Sequence, residues 1–130
     1  MEILFLDDCP KRTKHFRSEV PNAITVSTAD DCIAKLQQQQ WHAVFLDHDL
    51  DGGSYQDPTE ANCGTAVAKW ICQNKPKINH IIVHSLNELE RENMVNMLRL
   101  QHYNVINCSF LRLSKNIQSL IKAISKEHHE

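Results

Sequence analysis

Short runs of consecutive apolar residues alternate along this chain with segments in which apolar residues recur every three or four positions. Because the runs are continuous, they predict strands buried on both faces, and the periodic segments predict amphipathic helices. The predicted strands are residues 2–6, 23–26, 43–46, 80–84 and 103–108. The predicted helices are residues 10–19, 29–38, 62–74, 88–101 and a final helix that Ser114 caps.

A few residues predict how individual helices begin and pack. Pro10 suits the first turn of the first helix, and Thr28 is a predicted cap for the second. The glycines and the proline of residues 51–60 predict a loop before the third helix. The fourth helix is expected to bury a stripe made of Leu89, Met94, Met97 and Leu98.

Strands that alternate with helices predict a parallel sheet covered by helices on both faces. We expect a flavodoxin-like, three-layer α/β sandwich with about five parallel strands in the order 2-1-3-4-5. The chain has 130 residues, the size of one domain, which we assign to residues 1–126, with a polar C-terminal tail at residues 127–130. In such sheets, ligands bind beyond the carboxyl ends of the strands, where the strand order reverses.

Composition and charge narrow the class of protein. Hydrophobic residues make up 42% of the chain and charged residues 23%, as in globular domains. The apolar runs are too short to span a membrane. An acidic pair close to the start of the chain excludes a signal peptide. The net charge of −2 argues against strong binding to duplex DNA. The 5 cysteines are irregularly spaced and include no CxxC pair, which disfavours disulfides or structural zinc and favours a cytoplasmic location.

Polar residues follow three of the predicted strands at the edge where a ligand is expected. They are Asp7-Asp8, Asp47-His48-Asp49 and His84-Ser85. In the expected strand order these segments converge on one pocket. Carboxylates that close raise one another's pKa, a conflict that a divalent cation resolves. Oxygen ligands suit Mg²⁺, Ca²⁺ or Mn²⁺, and added histidines favour Mn²⁺, iron or zinc.

Each acid in this set also has a structural explanation to be weighed. Asp7 or Asp8 can cap the helix that begins near Pro10, and Asp49 can be an ordinary turn residue. Asp47 is different, because it ends an apolar strand where packing offers no reason for an acid. We therefore assign Asp47 to function.

The polar residues beside the acids have structural explanations as well. His48 can hydrogen-bond the backbone of its loop, and His84 can be a satisfied core histidine. Ser85 is a weak signal alone. Their shared position at strand ends favours a functional site.

Polar residues follow three strands: Asp7-Asp8 the first, Asp47 the third and Ser85 the fourth. With this pattern the chain resembles the response-regulator receiver domain over essentially its whole length. The resemblance implies that the paired acids hold magnesium. It implies that Asp47 accepts a phosphoryl group and that Ser85 contacts it. Asp49 stands where receivers offer a backbone carbonyl to the metal.

The end of the fifth strand departs from the receiver pattern. Receivers carry a lysine there, usually followed by proline, whereas residues 108–115 contain no Lys-Pro pair. Arg112 is the nearest basic residue by spacing and Lys115 is a weaker substitute, although arginine does not replace lysine at a close phosphate contact. His48 and His84 are additional to the receiver pattern.

Two short sequences are more specific than the receiver pattern. Residues 46–50 read Leu-Asp-His-Asp-Leu, and residues 83–87 read Val-His-Ser-Leu-Asn and are followed by Met94. They resemble the receiver-like group named for cyclic-phosphate processing, which is linked by prediction to RNA repair and to the processing of nucleic-acid ends. This resemblance implies a phosphoesterase-like role instead of phosphorelay signalling.

The first functional hypothesis is a metal-dependent phosphoesterase that acts on a cyclic or terminal phosphate of a small molecule or nucleic-acid end. Its metal is Mg²⁺ or Mn²⁺, and two histidines would divide the proton transfers. The predicted metal ligands are Asp7, Asp8, Asp47 and Asp49. The predicted catalytic residues are Asp47, His48, His84, Ser85 and Arg112.

Two other functions stay open at this point. One is a receiver phosphorylated on Asp47, which would recognise a protein partner near its fourth helix. The other is a binding module without turnover. A lysine directed at Asp47 would favour the receiver, and imidazoles directed there would favour the esterase.

Overall fold

The structure is a computed structural model that describes residues 1–50 and 56–128. In these ranges five strands alternate with five helices, as the sequence predicts. The strands are β1 (Ile3–Leu6), β2 (Ile24–Val26), β3 (Trp41–Leu46), β4 (Ile78–Val83) and β5 (Val105–Asn107). The helices are α1 (Pro10–Glu19), α2 (Ala29–Gln38), α3 (Gly64–Asn74), α4 (Glu88–Leu100) and α5 (Phe110–His128).

The predicted loop and tail fall partly outside this description. Residues 51–55 of the loop and residues 129–130 of the tail lie outside the described residues. Helix α5 extends to His128, so helical backbone reaches into the segment expected to be a tail. No helix in the described ranges is long and apolar enough to cross a membrane.

All strand pairs are parallel, and the strand order is β2-β1-β3-β4-β5, which confirms the predicted flavodoxin-like α/β fold. The register aligns the strand ends, since Leu6 pairs with Leu46 and Leu46 pairs with Val83. The residues that follow these three positions therefore emerge at the same edge of the sheet.

Alternate residues of the strands pack on opposite faces of the sheet, where two apolar clusters form. On one face, strand residues such as Leu46 and Val83 pack against residues of α2, α3 and α4. On the other face, Phe5 and Phe45 pack against Phe16 of α1 and residues of α5. The inner strands β1, β3 and most of β4 are buried on both faces, as their continuous apolar runs predict, whereas the edge strands β2 and β5 are partly exposed.

The caps of α1 and α2 agree with the prediction. Pro10 is the first residue of α1, and the Thr28 hydroxyl accepts a hydrogen bond from the Asp31 amide at 3.1 Å. The last helix differs: α5 begins at Phe110 and is kinked at Asn116, where the backbone is not helical. The Ser114 hydroxyl donates to the Leu111 carbonyl within the segment before this kink. The Ser114 cap was therefore wrong.

The apolar stripe of α4 also needs correction. Leu89 is 68% exposed, whereas Glu90, Met94 and Leu98 are buried. These three buried positions are four residues apart and share one face of the helix, and Leu89 lies about 100° away from that face. Leu89 therefore faces solvent.

Candidate functional site

Three carboxylates converge where β1 and β3 end. One carboxylate oxygen from each of Asp7, Asp8 and Asp47 lies within 4.8 Å of the others. The sheet hydrogen bonding continues past the strand ends, because the Asp47 amide donates to the Leu6 carbonyl at 3.1 Å. Asp7 and Asp47 are buried and Asp8 is half-buried. We call these three residues the acidic cluster.

The positive partner of the acidic cluster is Arg12, from the first turn of α1. Its Nε lies 2.8 Å and its Nη2 2.9 Å from the two carboxylate oxygens of Asp7. The same Nη2 lies 3.4 Å from Asp47 Oδ2 and 3.9 Å from Asp8 Oδ1. The hydrogen bond to Asp7 raises the pKa of Arg12 further above its usual value.

Sequence analysis overlooked Arg12. The available signal was its spacing of four residues from Asp8 across the start of α1, which puts an acid and a base on one face of the helix. The receiver resemblance instead implies a basic residue at the end of the fifth strand, where receivers carry a lysine.

The acidic cluster carries more negative charge than Arg12 can balance. Burial, and after it the Asp7 carboxylate, raise the pKa of Asp47 to about 8, while Arg12 acts in the opposite direction. Three convergent carboxylates with this unbalanced charge fit a hard divalent cation with oxygen ligands, such as Mg²⁺ or Mn²⁺.

Asp49 is placed differently from the other three acids. Its Oδ1 accepts a hydrogen bond from the Gln56 amide at 2.6 Å, and the residue forms an isolated antiparallel bridge with Cys63. Asp49 is buried and raises the pKa of Asp47, but its carboxylate is not one of the three grouped oxygens. Its side chain holds the loop after β3.

His48 is fully buried, and both of its ring nitrogens make hydrogen bonds. Nε2 lies 2.7 Å from the Gln56 carbonyl oxygen, to which it must donate, and Nδ1 lies 2.9 Å from the Thr65 hydroxyl. In the neutral ring Nδ1 therefore accepts from Thr65. The ring ties the loop after β3 to the start of α3.

The backbone around His48 packs against α3 at its first residue. The Gly64 amide donates to the His48 carbonyl at 2.8 Å. A Cβ atom at Gly64 would overlap the carbonyl of Asp47 and would lie 2.7 Å from the Cα of His48. Glycine is therefore required for α3 to approach the end of β3 this closely.

His84 lies between the acidic cluster and the apolar layer under α1 and α5. Its ring is parallel to that of Phe5 at 4.9 Å between centroids, and Phe110 meets it edge-on at 5.8 Å. Nδ1 lies 3.8 Å from Asp7 Oδ2, and neither ring nitrogen has a hydrogen-bond partner within the described ranges. Burial lowers the pKa of His84 to about 4, so the ring is neutral near pH 7.

Ser85 and Arg112 are the remaining sequence candidates. Ser85 is buried after β4, and its hydroxyl accepts a hydrogen bond from the Asn87 amide at 3.1 Å. Arg112 is exposed on the first turn of α5 and forms no ion pair with the acidic cluster in the part of the chain described. Over the same residues, no lysine pairs with Asp47.

The family profile of the cyclic-phosphate processing receiver domain matches residues 2–100. The chain belongs to this family. The match includes all three members of the acidic cluster, Arg12 and His84. No curated protein matches the chain significantly.

Solved structures of response regulators share the fold of this family member. A two-component response regulator from Clostridium difficile is 13% identical with a TM-score of 0.66, and the match covers 100% of this chain and 99% of that one. TrrA from Thermotoga maritima, solved with Mg²⁺-BeF, is 18% identical with a TM-score of 0.64 over 95% and 97% of the two chains. The Mn²⁺-bound form of Rcp1 is 18% identical with a TM-score of 0.55 over 95% and 88%.

Proposed function

We propose that this receiver-family protein is a metal-dependent phosphoesterase that acts on a cyclic or terminal phosphate of a nucleotide or RNA end. The observation that carries the proposal is the convergence of Asp7, Asp8 and Asp47 around Arg12. This arrangement combines oxygen ligands for a cation with a guanidinium that can bind a phosphoryl group.

The acidic cluster would hold the cation. Bound there, Mg²⁺ or Mn²⁺ would polarise the phosphoryl oxygens and offset the repulsion among the carboxylates. Asp49 would offer its backbone carbonyl to the cation, as the receiver resemblance implies. Its carboxylate instead accepts a hydrogen bond from the Gln56 amide.

Arg12 would orient the phosphoryl group. Its Nε and Nη2 bind Asp7, while Nη1 makes no hydrogen bond to the residues that are described. Nη1 is therefore able to donate to a phosphoryl oxygen while the guanidinium stays fixed on Asp7. In this proposal Arg12 takes the role that sequence reasoning assigned to Arg112.

His84 would accept or return a proton. Its neutral ring has a lone pair, and its Nδ1 lies 3.8 Å from Asp7, at the inner wall of the acidic cluster. His48 would position the loop after Asp47, since both its ring nitrogens are occupied. Ser85 would contact the phosphoryl group from the end of β4.

A second candidate function is a receiver that accepts a phosphoryl group on Asp47. The observation in its favour is that the Asp47 carboxylate stands beside Asp7 and Asp8 at the strand ends. The observation against it is that Asp47 pairs with Arg12 and with no lysine of the described ranges.

Turnover distinguishes these functions. EDTA-treated protein is assayed on a nucleoside 2′,3′-cyclic phosphate with and without Mg²⁺ or Mn²⁺, and separately on acetyl phosphate. The proposal expects metal-dependent hydrolysis that Asp47→Asn abolishes. Asp30→Asn, which removes an exposed acid of α2, is the matched control and should leave the rate unchanged.

Two other results would each select a different function. Stable phosphorylation of Asp47 without hydrolysis of the cyclic phosphate would identify a phosphoacceptor receiver. Metal or nucleotide binding without either reaction would identify a binding module.

A further inference from the structure

A groove of about 910 Å³ opens directly beside the acidic cluster, between α1 and the segment that runs from β2 into α2. Asp7 and Asp8 line one end of it. Its volume lies in the range of sites that enclose small ligands. We call it the α1–β2 groove, and its lining also includes Thr13, Lys14, Arg17, Thr25, Ser27 and Asp31.

Two cations extend along the α1 wall of this groove. Lys14 and Arg17 are three residues apart, so they lie on one face of α1 about one turn from each other. Both are exposed, and neither pairs with a carboxylate of the described residues. The positive charge of α1 is therefore directed partly at the acidic cluster, through Arg12, and partly into the groove.

The remaining wall combines hydroxyl-bearing residues with the apolar surface of Pro10, Pro21 and Val26. Hydroxyl groups of Thr13, Thr25 and Ser27 line the groove, and such groups commonly contact phosphate and sugar oxygens. None of the residues that line the groove is aromatic, so there is no platform on which a base could stack. Asp31, in the first turn of α2, is the lining acid that lies outside the acidic cluster.

We propose that the α1–β2 groove binds the nucleic-acid strand that precedes the reacting terminal phosphate, with Lys14 and Arg17 contacting its next backbone phosphates. This inference rests on the proposed function and narrows its substrate class to an oligonucleotide end. A mononucleoside cyclic phosphate carries its single phosphate to the acidic cluster and leaves the two cations without a partner. Contacts to phosphate and sugar make the binding independent of base sequence.

Binding is tested with a 5′-fluorescein single-stranded tetranucleotide that ends in a 3′-phosphate, by fluorescence anisotropy in Mg²⁺. The double variant Lys14→Gln/Arg17→Gln should weaken binding about tenfold or more. It should also reduce the slope of log affinity against log salt by about 1.4, since each lost phosphate contact to a single strand removes about 0.7. Asp31→Asn should tighten binding, because it removes the opposing negative charge.

Lys11→Gln is the matched control, because Lys11 is an exposed cation of the same helix that does not line the groove. If it weakens binding as much as the double variant does, diffuse charge attraction explains the affinity and the proposal is overturned. Failure of the wild-type protein to bind the tetranucleotide would overturn it as well.

Turnover separates this inference from the proposed function. The double variant should raise KM for a dinucleotide that ends in a 2′,3′-cyclic phosphate and leave the mononucleoside substrate unaffected. An unchanged KM for the dinucleotide in the double variant would overturn the groove and keep the esterase. If the double variant loses tetranucleotide binding while neither it nor the wild type hydrolyses any substrate, the groove proposal stands and the esterase is rejected.

Discussion

Arg12 and Asp7 form a two-point ion pair, with Nε 2.8 Å from Oδ2 and Nη2 2.9 Å from Oδ1. Asp7 is buried and Arg12 is largely covered, so the pair is held in one geometry. Because Nη2 also reaches Asp47 at 3.4 Å, Arg12 is the counter-ion of the acidic cluster when no metal is bound. A divalent cation at the cluster would share these carboxylates with Arg12.

This shared position predicts the effect of Arg12→Gln. Without metal the variant should melt at a lower temperature than the wild type, because the carboxylates lose their positive partner. Added Mg²⁺ or Mn²⁺ should then raise its melting temperature by more than it raises that of the wild type, since the cation no longer competes with a guanidinium. Thermal unfolding with and without metal measures both effects.

Lys11→Gln removes a neighbouring exposed cation and should change neither value. An Arg12→Gln protein whose melting temperature does not respond to metal would contradict the proposed cation site.

The pKa of Asp47 predicts how stability depends on pH in metal-free protein. Burial raises this pKa from 3.8 to about 8, so the folded state retains a proton that the unfolded chain has lost. The free energy of unfolding should therefore fall as pH rises, until the pH has passed about 8. His84 acts in the opposite direction only between pH 6.5 and about 4. Burial raises the pKa of Cys32 and of three other cysteines above 9.0, so these thiols contribute only as the pH approaches that value, and the range from pH 6.5 to about 8 reports mainly on Asp47.

Urea unfolding in EDTA between pH 6.5 and about 8 measures this dependence. Asp47→Asn should flatten the curve, and so should saturating Mg²⁺, because a cation stabilises the ionised carboxylate. An equally steep curve in Asp47→Asn would assign the dependence to another group.

His84→Phe separates packing from proton transfer. Phenylalanine retains the stacking on Phe5 and removes two buried nitrogens that lack partners among the described residues. The variant should be at least as stable as the wild type and should lose the destabilisation that His84 causes as pH falls from 6.5 towards 4. Hydrolysis of the cyclic phosphate should fall on the order of 10²–10⁴-fold if His84 carries the proton.

Stability and turnover are measured on the same preparation, so a rate loss cannot be attributed to unfolding. Full activity of His84→Phe would restrict this residue to a packing role in the apolar layer.

Gly64→Ala tests the close approach of α3 to the end of β3. The added methyl group would overlap the Asp47 carbonyl and press on the His48 Cα, both of which are backbone atoms with little freedom to move. We expect a loss of about 1–3 kcal/mol or more in the free energy of unfolding, measured in urea. Ala66→Ser, on the same helix, should cost well under about 1 kcal/mol. An unchanged Gly64→Ala protein would mean that the strand end yields easily.

The fold and the location of the site follow from local sequence patterns. The continuous apolar runs of β1, β3 and β4 become strands buried on both faces, and the alternation of strands with amphipathic segments leaves few arrangements of a parallel sheet. Asp7 and Asp47 could be placed together because both directly follow such runs, and the register of Leu6 with Leu46 aligns them. The error at Ser114 placed the start of the last helix too late, since that helix already begins at Phe110, and the error at Leu89 assigned to the buried face of α4 a residue about 100° away from it.

The sequence by itself determined the strands, their order and the acids at their ends, because these depend on short-range periodicity and on general rules of sheet topology. Only the tertiary structure decided which cation meets the acids and what each histidine contacts. Arg12 reaches Asp47 across 35 positions of sequence, His48 finds Gln56 and Thr65 through the fold of its loop, and His84 stacks on a ring of another strand. Such contacts depend on the distances between elements after packing, which no local pattern encodes.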